Sequence, residues 1–388
     1  MKKKIIILGS TGSIGKSTIE ILENKKNFFD IQLLSTNTNI KLAVKQAKKF
    51  SVKHIIISDY ETFLKAKKKY YKSKINFYNS SEVINKLFKK KEIFYTMVSI
   101  VGINGLDPTI KSIKFSQNIA ITNKESLICG WNLIKKELVK FNVNFFPVDS
   151  EHFSIFSLVK DHDFKDIEKI YITASGGPFL KLPYSKLSKI KLKDALKHPN
   201  WSMGKKISID SATMMNKLFE VIEAKNIFNI SYKNIKILIH PKSYIHALVK
   251  YKSGITKILL HEPDMKIPIH NSIHHFYKMP IKTKSLDLNI LNNLNFQEVN
   301  YRKFPLMKIL KILPKKNSLY ETALITINDY FVLKFIKKEI NYNDLLNSIN
   351  YYARSKIFLK FRKKTPKNIK DIHKTKDYVY SKLENLGI

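Results

Sequence analysis

Lys4–Gly15 reads KIIILGSTGSIG: an apolar run, Ile5–Leu8, then glycines at 9, 12 and 15, then a helical pattern expected to open at Lys16. Glycine in a tight strand-to-helix turn permits unusual backbone angles. A second glycine lets the backbone approach a pyrophosphate, a third allows close helix–strand packing, and the helix N-terminus offers free N–H groups. The spacing is GxxGxxG, a looser relative of GxGxxG, and the bland alternative is a plain strand–helix turn. Read as a nucleotide site, the contacts fall to Thr11, Gly12, Ser13 and Ile14.

Working outward, the first 150 residues alternate short β-branched runs with helical patterns. The expected strands are Lys4–Leu8, Ile31–Ser35, His54–Ser58, Thr96–Val101, Ile119–Thr122 and Asn144–Val148. The expected helices include Ser17–Lys25, Ile40–Phe50 and Trp131–Phe141. Such alternation predicts a doubly wound parallel sheet, hence an α/β chain. From Asp149 to about Pro280 the pattern is mixed, with a long helix expected near Asp210–Phe228 and strands at Ile235–His240 and His246–Tyr251. Ile281–Arg302 reads as a connector, and Phe304 onward as an all-helical tail. The expected division is therefore 1–149, 150–280, 281–303 and 304–388.

Composition narrows the function class. The chain of 388 residues has 44% hydrophobic residues, which suits ordinary globular domains. One cysteine, Cys129, cannot form an intrachain disulfide. The apolar run Ile5–Leu8 is too short for a signal region and no stretch reaches membrane-span length, so the expectation is a cytoplasmic chain without a membrane partner. The net charge of +39 invites a nucleic-acid reading, yet only three of 70 basic residues are arginine: Arg302, Arg354 and Arg362. Base readout and bidentate phosphate clamping favour arginine. A specific nucleic-acid partner is therefore not expected, and lysine runs such as Lys67–Lys69 and Lys89–Lys91 read as solvated helix faces.

Four segments carry chemistry. Thr122–Leu127 (TNKESL) and Pro147–His152 (PVDSEH) each follow an expected strand, where α/β sheets bind ligands. If the second is extended, Asp149 and Glu151 point the same way. Ala174–Phe179 (ASGGPF) is a small-residue turn suited to phosphate. His198–Glu223 (HPNWSMGKKISIDSATMMNKLFEVIE) places Asn216, Lys217 and Glu220 on one helical face. Asp149, Glu151 and Glu220 together are oxygen ligands without a Cys or His cluster, which selects Mg²⁺ or Mn²⁺ over structural zinc. Each carboxylate alone reads equally as a helix cap or an ion pair; His198 alone reads as a structural histidine, Trp201 as a core or loop indole, and Met214 and Met215 as helix packing.

At these residues the sequence resembles the 1-deoxy-D-xylulose-5-phosphate reductoisomerase family: GSTGSIG, NKESL, PVDSEH, SGGPF, HPNWSMG, KIS-D-SATMMNK, EVIEA and IHPKS stand in the family's order. The resemblance is dense from Lys4 to about Pro268 and thin in the C-terminal helices. It implies a Rossmann-like first domain, an α+β catalytic and dimerisation domain, a C-terminal helical domain, and a homodimer acting on a sugar phosphate. It implies that Thr11, Gly12, Ser13, Ile14, Asn39, Asn123, Glu125 and Gly204 contact NADPH. Asp149, Glu151 and Glu220 would hold Mg²⁺ or Mn²⁺, with Co²⁺ a third candidate. Lys124 and Glu151 would be catalytic, and Lys124, Ser150 and Glu151 would face the reacting oxygens. Ser175, His198, Ser211, Asn216 and Lys217 would take the phosphate end, Glu220 would also meet substrate, and Trp201 would sit on a closing loop.

The chain departs from the family at three places: Ser35-Thr36-Asn37-Thr38-Asn39 lacks the usual basic residue before Asn39, Leu218 replaces a usual glycine, and Asn328-Asp329 replaces Asn-Glu. The rival enzyme reading, another Rossmann dehydrogenase, needs a catalytic cysteine or a different lysine pattern, and Cys129 is poorly placed as a nucleophile.

Overall fold

The computed structural model describes residues 1–386 apart from Asn24, Ser202 and Lys278. By internal packing the chain parts into two compact units, Met1–Phe153 with Asp264–Ile281, and Ser154–Pro263 with Lys282–Ile388.

The first unit is built on seven strands: β1 Lys3–Leu8, β2 Phe29–Thr36, β3 His54–Ile57, β4 Asn76–Tyr78, β5 Ile93–Val98, β6 Ser116–Ile121 and β7 Asn144–Pro147. They form one sheet in the order β4-β3-β2-β1-β5-β6-β7, every neighbouring pair parallel. In the central β1 the whole run Ile5–Leu8 is buried, without alternation, as a strand covered on both faces requires. The chain winds outward from β1 to β4 and then restarts at β5, so the switch point lies between the C-terminal ends of β1 and β5. Helices Ile40–Phe50 and Trp131–Phe141 occupy their expected spans. The first helix opens at Ser13, not Lys16, because the turn itself supplies the first helical residues. The helix Lys266–Ile273 joins this unit through an ion pair from Lys266 to Glu20 at 2.8 Å, and Tyr95 and Ser272 share a buried hydroxyl hydrogen bond of 2.7 Å.

The second unit holds a mixed sheet of β8 Ile167–Ala174, β9 Ile235–Ile239, β10 Ile245–Tyr251, β11 Thr256–Leu260 and β12 Gln297–Glu298, ordered β11-β10-β8-β9-β12. Its C-terminal part is helical, dominated by Leu319–Ile336, Tyr342–Arg354 and Ile369–Asn385. Two further expectations need correction. The single helix near Asp210–Phe228 is two, Lys205–Ala212 and Met215–Phe228, broken where Met214 takes a left-handed backbone at φ 63°. Asp149–Glu151 is not extended, because a helix already begins at Ser150.

The Leu319–Ile336 helix starts with a capping box: Ser318 N–H donates to Glu321 Oε2 at 3.1 Å while the Ser318 hydroxyl accepts from Tyr320 N–H, also at 3.1 Å. Glu321 is fully buried, and burial pushes its carboxyl up to about 7, against the Ser318 hydrogen bonds and the Lys225 charge. A carboxyl raised in the folded state holds its proton where the unfolded chain, near 4.5, has released it. Stability therefore falls as pH rises from 4.5 toward 7. Glu321→Gln is expected to remove that slope and gain on the order of 2 kcal/mol over the parent above neutral pH. Urea unfolding of both proteins at pH 5 and pH 8 checks it, and parallel pH profiles would refute the assignment.

Candidate active site

The glycine turn sits at the switch point. A Cβ at Gly9 would lie 2.6 Å from the Ser99 carbonyl oxygen beyond β5, and one at Gly15 would lie 2.2 Å from the Gly9 oxygen, so neither position admits a side chain. Gly9 N–H donates to Ser35 Oγ at 2.8 Å, and the Thr11 and Thr36 hydroxyls bond each other at 2.8 Å. Gly12 and Ser13 stay exposed at the head of the Ser13–Glu23 helix, an end that suits an anion, while Gly12 N–H itself donates to the Gly9 oxygen at 3.1 Å. Asn39 is exposed and caps the Ile40–Phe50 helix by accepting from Leu42 N–H at 3.3 Å. After β6, Asn123 caps the Lys124–Cys129 helix and donates to the Gly102 oxygen at 2.8 Å, while Glu125 accepts from Gly102 N–H at 3.3 Å. These two side chains lock the loop after β5 to the loop after β6.

Beyond β7, Asp149 meets the Lys124 ammonium in an ion pair and lies 3.2 Å from His152 Nδ1. Burial alone would raise the Asp149 carboxyl, but Lys124 and His152 outweigh it and hold it well below the usual carboxylate range. Ser150 donates to Glu151 Oε2 at 2.5 Å. His152, fully buried one helical turn after Asp149, was not singled out in the sequence, although its place in PVDSEH was the available signal.

In the second unit the left-handed Met214 separates Ser211 from Asn216; holding a non-glycine residue there costs about 1–2 kcal/mol. Such strain concentrates at functional sites. On the helix that follows, Asn216 Nδ2 donates to Glu220 Oε1 at 2.5 Å and the buried Lys217 pairs with Glu220, so the expected shared face exists. The Asn216 Oδ1 atom is buried and accepts no hydrogen bond among the described residues. Gly177 lies close against the Lys205–Ala212 helix: a Cβ there would stand 2.8 Å from the Ser211 carbonyl oxygen, at a φ of +65° that favours glycine.

His198 has its tautomer set by neighbours. Its Nδ1 accepts from Asn200 N–H at 3.2 Å and Trp201 N–H at 3.0 Å, so the proton sits on Nε2, 3.1 Å from Ser175 Oγ. Burial, then the Lys217 charge, lower its pKa to about 4, and the ring is neutral at physiological pH. Trp201 lies in irregular backbone, and Asn200 ties that segment to the Pro241 oxygen at 2.8 Å and Ser243 Oγ at 2.7 Å. Gly204 ends it as the N-cap of Lys205–Ala212, with nothing within 4 Å of where its Cβ would be. Met214 and Met215 are core, as expected.

The whole chain has counterparts. Residues 5–130 match the description 1-deoxy-D-xylulose 5-phosphate reductoisomerase, residues 145–228 that enzyme's C-terminal domain, and residues 260–380 the DXP reductoisomerase C-terminal domain. A 1-deoxy-D-xylulose 5-phosphate reductoisomerase of Pelagibacter ubique is 49% identical over 387 residues, covering 100% of both chains. The chain belongs to the 1-deoxy-D-xylulose 5-phosphate reductoisomerase family. The reductoisomerase of Clostridium novyi is 36% identical, with 99% of each chain covered. A solved reductoisomerase from Zymomonas mobilis in complex with NADPH aligns at TM-score 0.89 and 28% identity, covering 100% of this chain and 99% of that one. Another, holding NADPH, fosmidomycin and magnesium, aligns at 0.88 and 29%, covering 98% and 97%.

The departures from the reductoisomerase pattern now have settings. Leu218, in the glycine position, is fully buried and fills core volume. Ser35 and Thr36 face inward on the glycine turn, which leaves Asn37, Thr38 and Lys41 exposed beside Asn39. Asn328 is buried and donates to Asp210 Oδ1 at 2.8 Å.

Proposed function

We propose that the chain converts 1-deoxy-D-xylulose 5-phosphate to 2-C-methyl-D-erythritol 4-phosphate, an NADPH- and divalent-metal-dependent rearrangement and reduction in non-mevalonate isoprenoid synthesis. The observation that carries this reading is the Met215–Phe228 helix, which puts a buried ammonium, an amide and a carboxylate on one face in a chain that matches the family end to end.

The donor set fits a hard cation. The proposed ligands Asp149, Glu151 and Glu220 are three carboxylates without sulfur or imidazole, which suits Mg²⁺ or Mn²⁺, with Co²⁺ a third candidate. When bound, such an ion polarises a carbonyl oxygen. NADPH fits the glycine turn, with Thr11, Gly12, Ser13 and Ile14 at the pyrophosphate and Asn39, Asn123, Glu125 and Gly204 as further contacts; it supplies a hydride. Lys124 and Ser150 present donors to the substrate oxygens beside Glu151. Ser175, Ser211, Asn216, Lys217 and the neutral His198 Nε2–H take the phosphate, and Trp201 covers the substrate.

The domain assignment follows: 1–149 binds nucleotide, 150–280 carries catalysis and dimerisation, 281–303 connects and 304–388 supports. A homodimer fits the free edge of β11, where Ile258 and Leu260 stand 48% and 36% exposed. Among the described residues no helix is long and apolar enough to cross a membrane, and a cytoplasmic enzyme is the reading we adopt.

The test is NADPH oxidation with 1-deoxy-D-xylulose 5-phosphate and Mg²⁺ or Mn²⁺. Turnover is expected to vanish with chelator and return with added metal; metal-independent turnover would refute the carboxylate site. The same assay reads cofactor choice. No acidic residue stands beside Asn39 to repel a 2′-phosphate, and Thr38 and Lys41 are exposed donors. NADPH is expected to exceed NADH in kcat/KM by about tenfold, roughly one charge-assisted contact. Equal efficiencies would show that the loss of the basic residue changed the specificity.

A further inference from the structure

Asn328 and Asp329 lie far along the chain from every residue assigned to the site, in the helix Leu319–Ile336. We infer that Asn328, with Tyr342, is a positioning residue that sets the phosphate end of the site from the C-terminal helices. The inference rests on Ser211 contacting the phosphate.

The Lys205–Ala212 helix has only eight residues, too short to hold itself, so outside contacts fix its place. Asp210, next to Ser211, is 2% exposed, and a carboxylate at that depth needs hydrogen-bond partners. One comes from its own helix, Lys206 Nζ at 3.1 Å from Oδ2. Asn328 Nδ2 supplies Oδ1 at 2.8 Å, and Asp329 Oδ1 lies 3.1 Å from Lys206 Nζ. Two consecutive residues of one C-terminal helix thus engage both members of the Lys206–Asp210 pair. At the far end of the same short helix the buried Tyr342 hydroxyl donates to the Ala212 carbonyl at 3.0 Å, satisfying one of the oxygens a helix end leaves open.

Tyr342 also supports the opposite wall. The Phe179 ring packs on it edge-on, with centroids 5.2 Å apart, and Phe179 closes the turn that holds Ser175 and Gly177. Gly177 abuts the Ser211 backbone. The two segments assigned to the phosphate are therefore braced by the same helical pair. The hydrogen bonds from Asn328 and Tyr342 fix Ser211 in direction as well as in depth, and small errors in such placement are costly.

The test titrates 1-deoxy-D-xylulose 5-phosphate by calorimetry without nucleotide, so no turnover intervenes, and titrates NADPH separately. Asn328→Asp sets a second carboxylate against Asp210 and is expected to weaken the sugar phosphate by at least about tenfold with NADPH affinity unchanged. The exchange Asp210→Asn with Asn328→Asp restores one amide facing one carboxylate and is expected to recover affinity to within about threefold. Tyr342→Phe, which removes only a hydroxyl, is expected to cost about threefold to tenfold and serves if Asn328→Asp does not fold. Recovery in the exchanged protein supports the inference. A folded Asn328→Asp with parental affinity, or a folded exchange without recovery, overturns it. Ser211→Ala separates the two layers: if it leaves sugar phosphate affinity unchanged, the phosphate reading falls and this inference with it. If it weakens binding while Asn328→Asp does not, only the inference falls.

Discussion

Glu220→Gln is expected to lower turnover by at least about a hundredfold, since losing even an outer partner of a metal site costs about ten- to a hundredfold. Gln keeps an oxygen for Asn216 Nδ2, which now bonds Glu220 Oε1 at 2.5 Å, so the local shape survives. What disappears is one of three negative charges in the proposed ligand set. The same change breaks the buried Lys217–Glu220 ion pair, and removing one member of such a pair costs about 3–5 kcal/mol, so the variant is also expected to melt lower. NADPH affinity should hold, because the glycine turn is a separate motif. Turnover at saturating Mg²⁺, cofactor binding and thermal unfolding are measured separately. Turnover within about threefold of the parent would sink the metal assignment.

Much of the first unit was legible because parallel strands buried on both faces read as unbroken apolar runs, as Ile5–Leu8 does. β4, at the edge of that sheet and only three residues long, leaves too little pattern to detect. β8 was missed because Glu168 and Lys169 interrupt Ile167–Ala174, and β11 because its exposed edge alternates weakly with lysine. The break at Met214 was invisible for a different reason. Nothing in SATMMNK marks a turn, no glycine occupies the left-handed position, and tertiary packing around the buried Ala212–Met215 holds the strained backbone. Local pattern also failed at Asp149–Glu151, where helix geometry, not strand alternation, orients the two carboxylates. The shared face of Asn216, Lys217 and Glu220 was read correctly because it depends only on helical spacing. His198 shows the limit of spacing arguments. Its tautomer follows from the backbone N–H groups of Asn200 and Trp201, which no side-chain pattern announces.

Lys217→Ala is expected to weaken the sugar phosphate about tenfold to a hundredfold, the worth of one charge-assisted contact of about 1.5–3 kcal/mol. Lys217 is 5% exposed, and a cation at that depth requires compensation. Glu220 provides it on one side, and a phosphate would provide it on another. Removing the ammonium breaks the Lys217–Glu220 pair, so part of any stability loss belongs to that pair and not to substrate. Affinity and stability must therefore be read apart, the first by titration of sugar phosphate, the second by thermal unfolding. A third readout comes from His198, whose pKa of about 4 reflects burial first and the Lys217 charge second. Without Lys217 the ring should titrate higher yet stay below the ordinary 6.5, because the burial remains. NMR of the imidazole signals against pH follows this without substrate. A His198 that shifts while sugar phosphate affinity holds would show that Lys217 faces the histidine and Glu220 but not the phosphate, and the substrate role would be withdrawn. Loss of affinity together with the shift places the ammonium between the histidine and the phosphate, where one charge serves both.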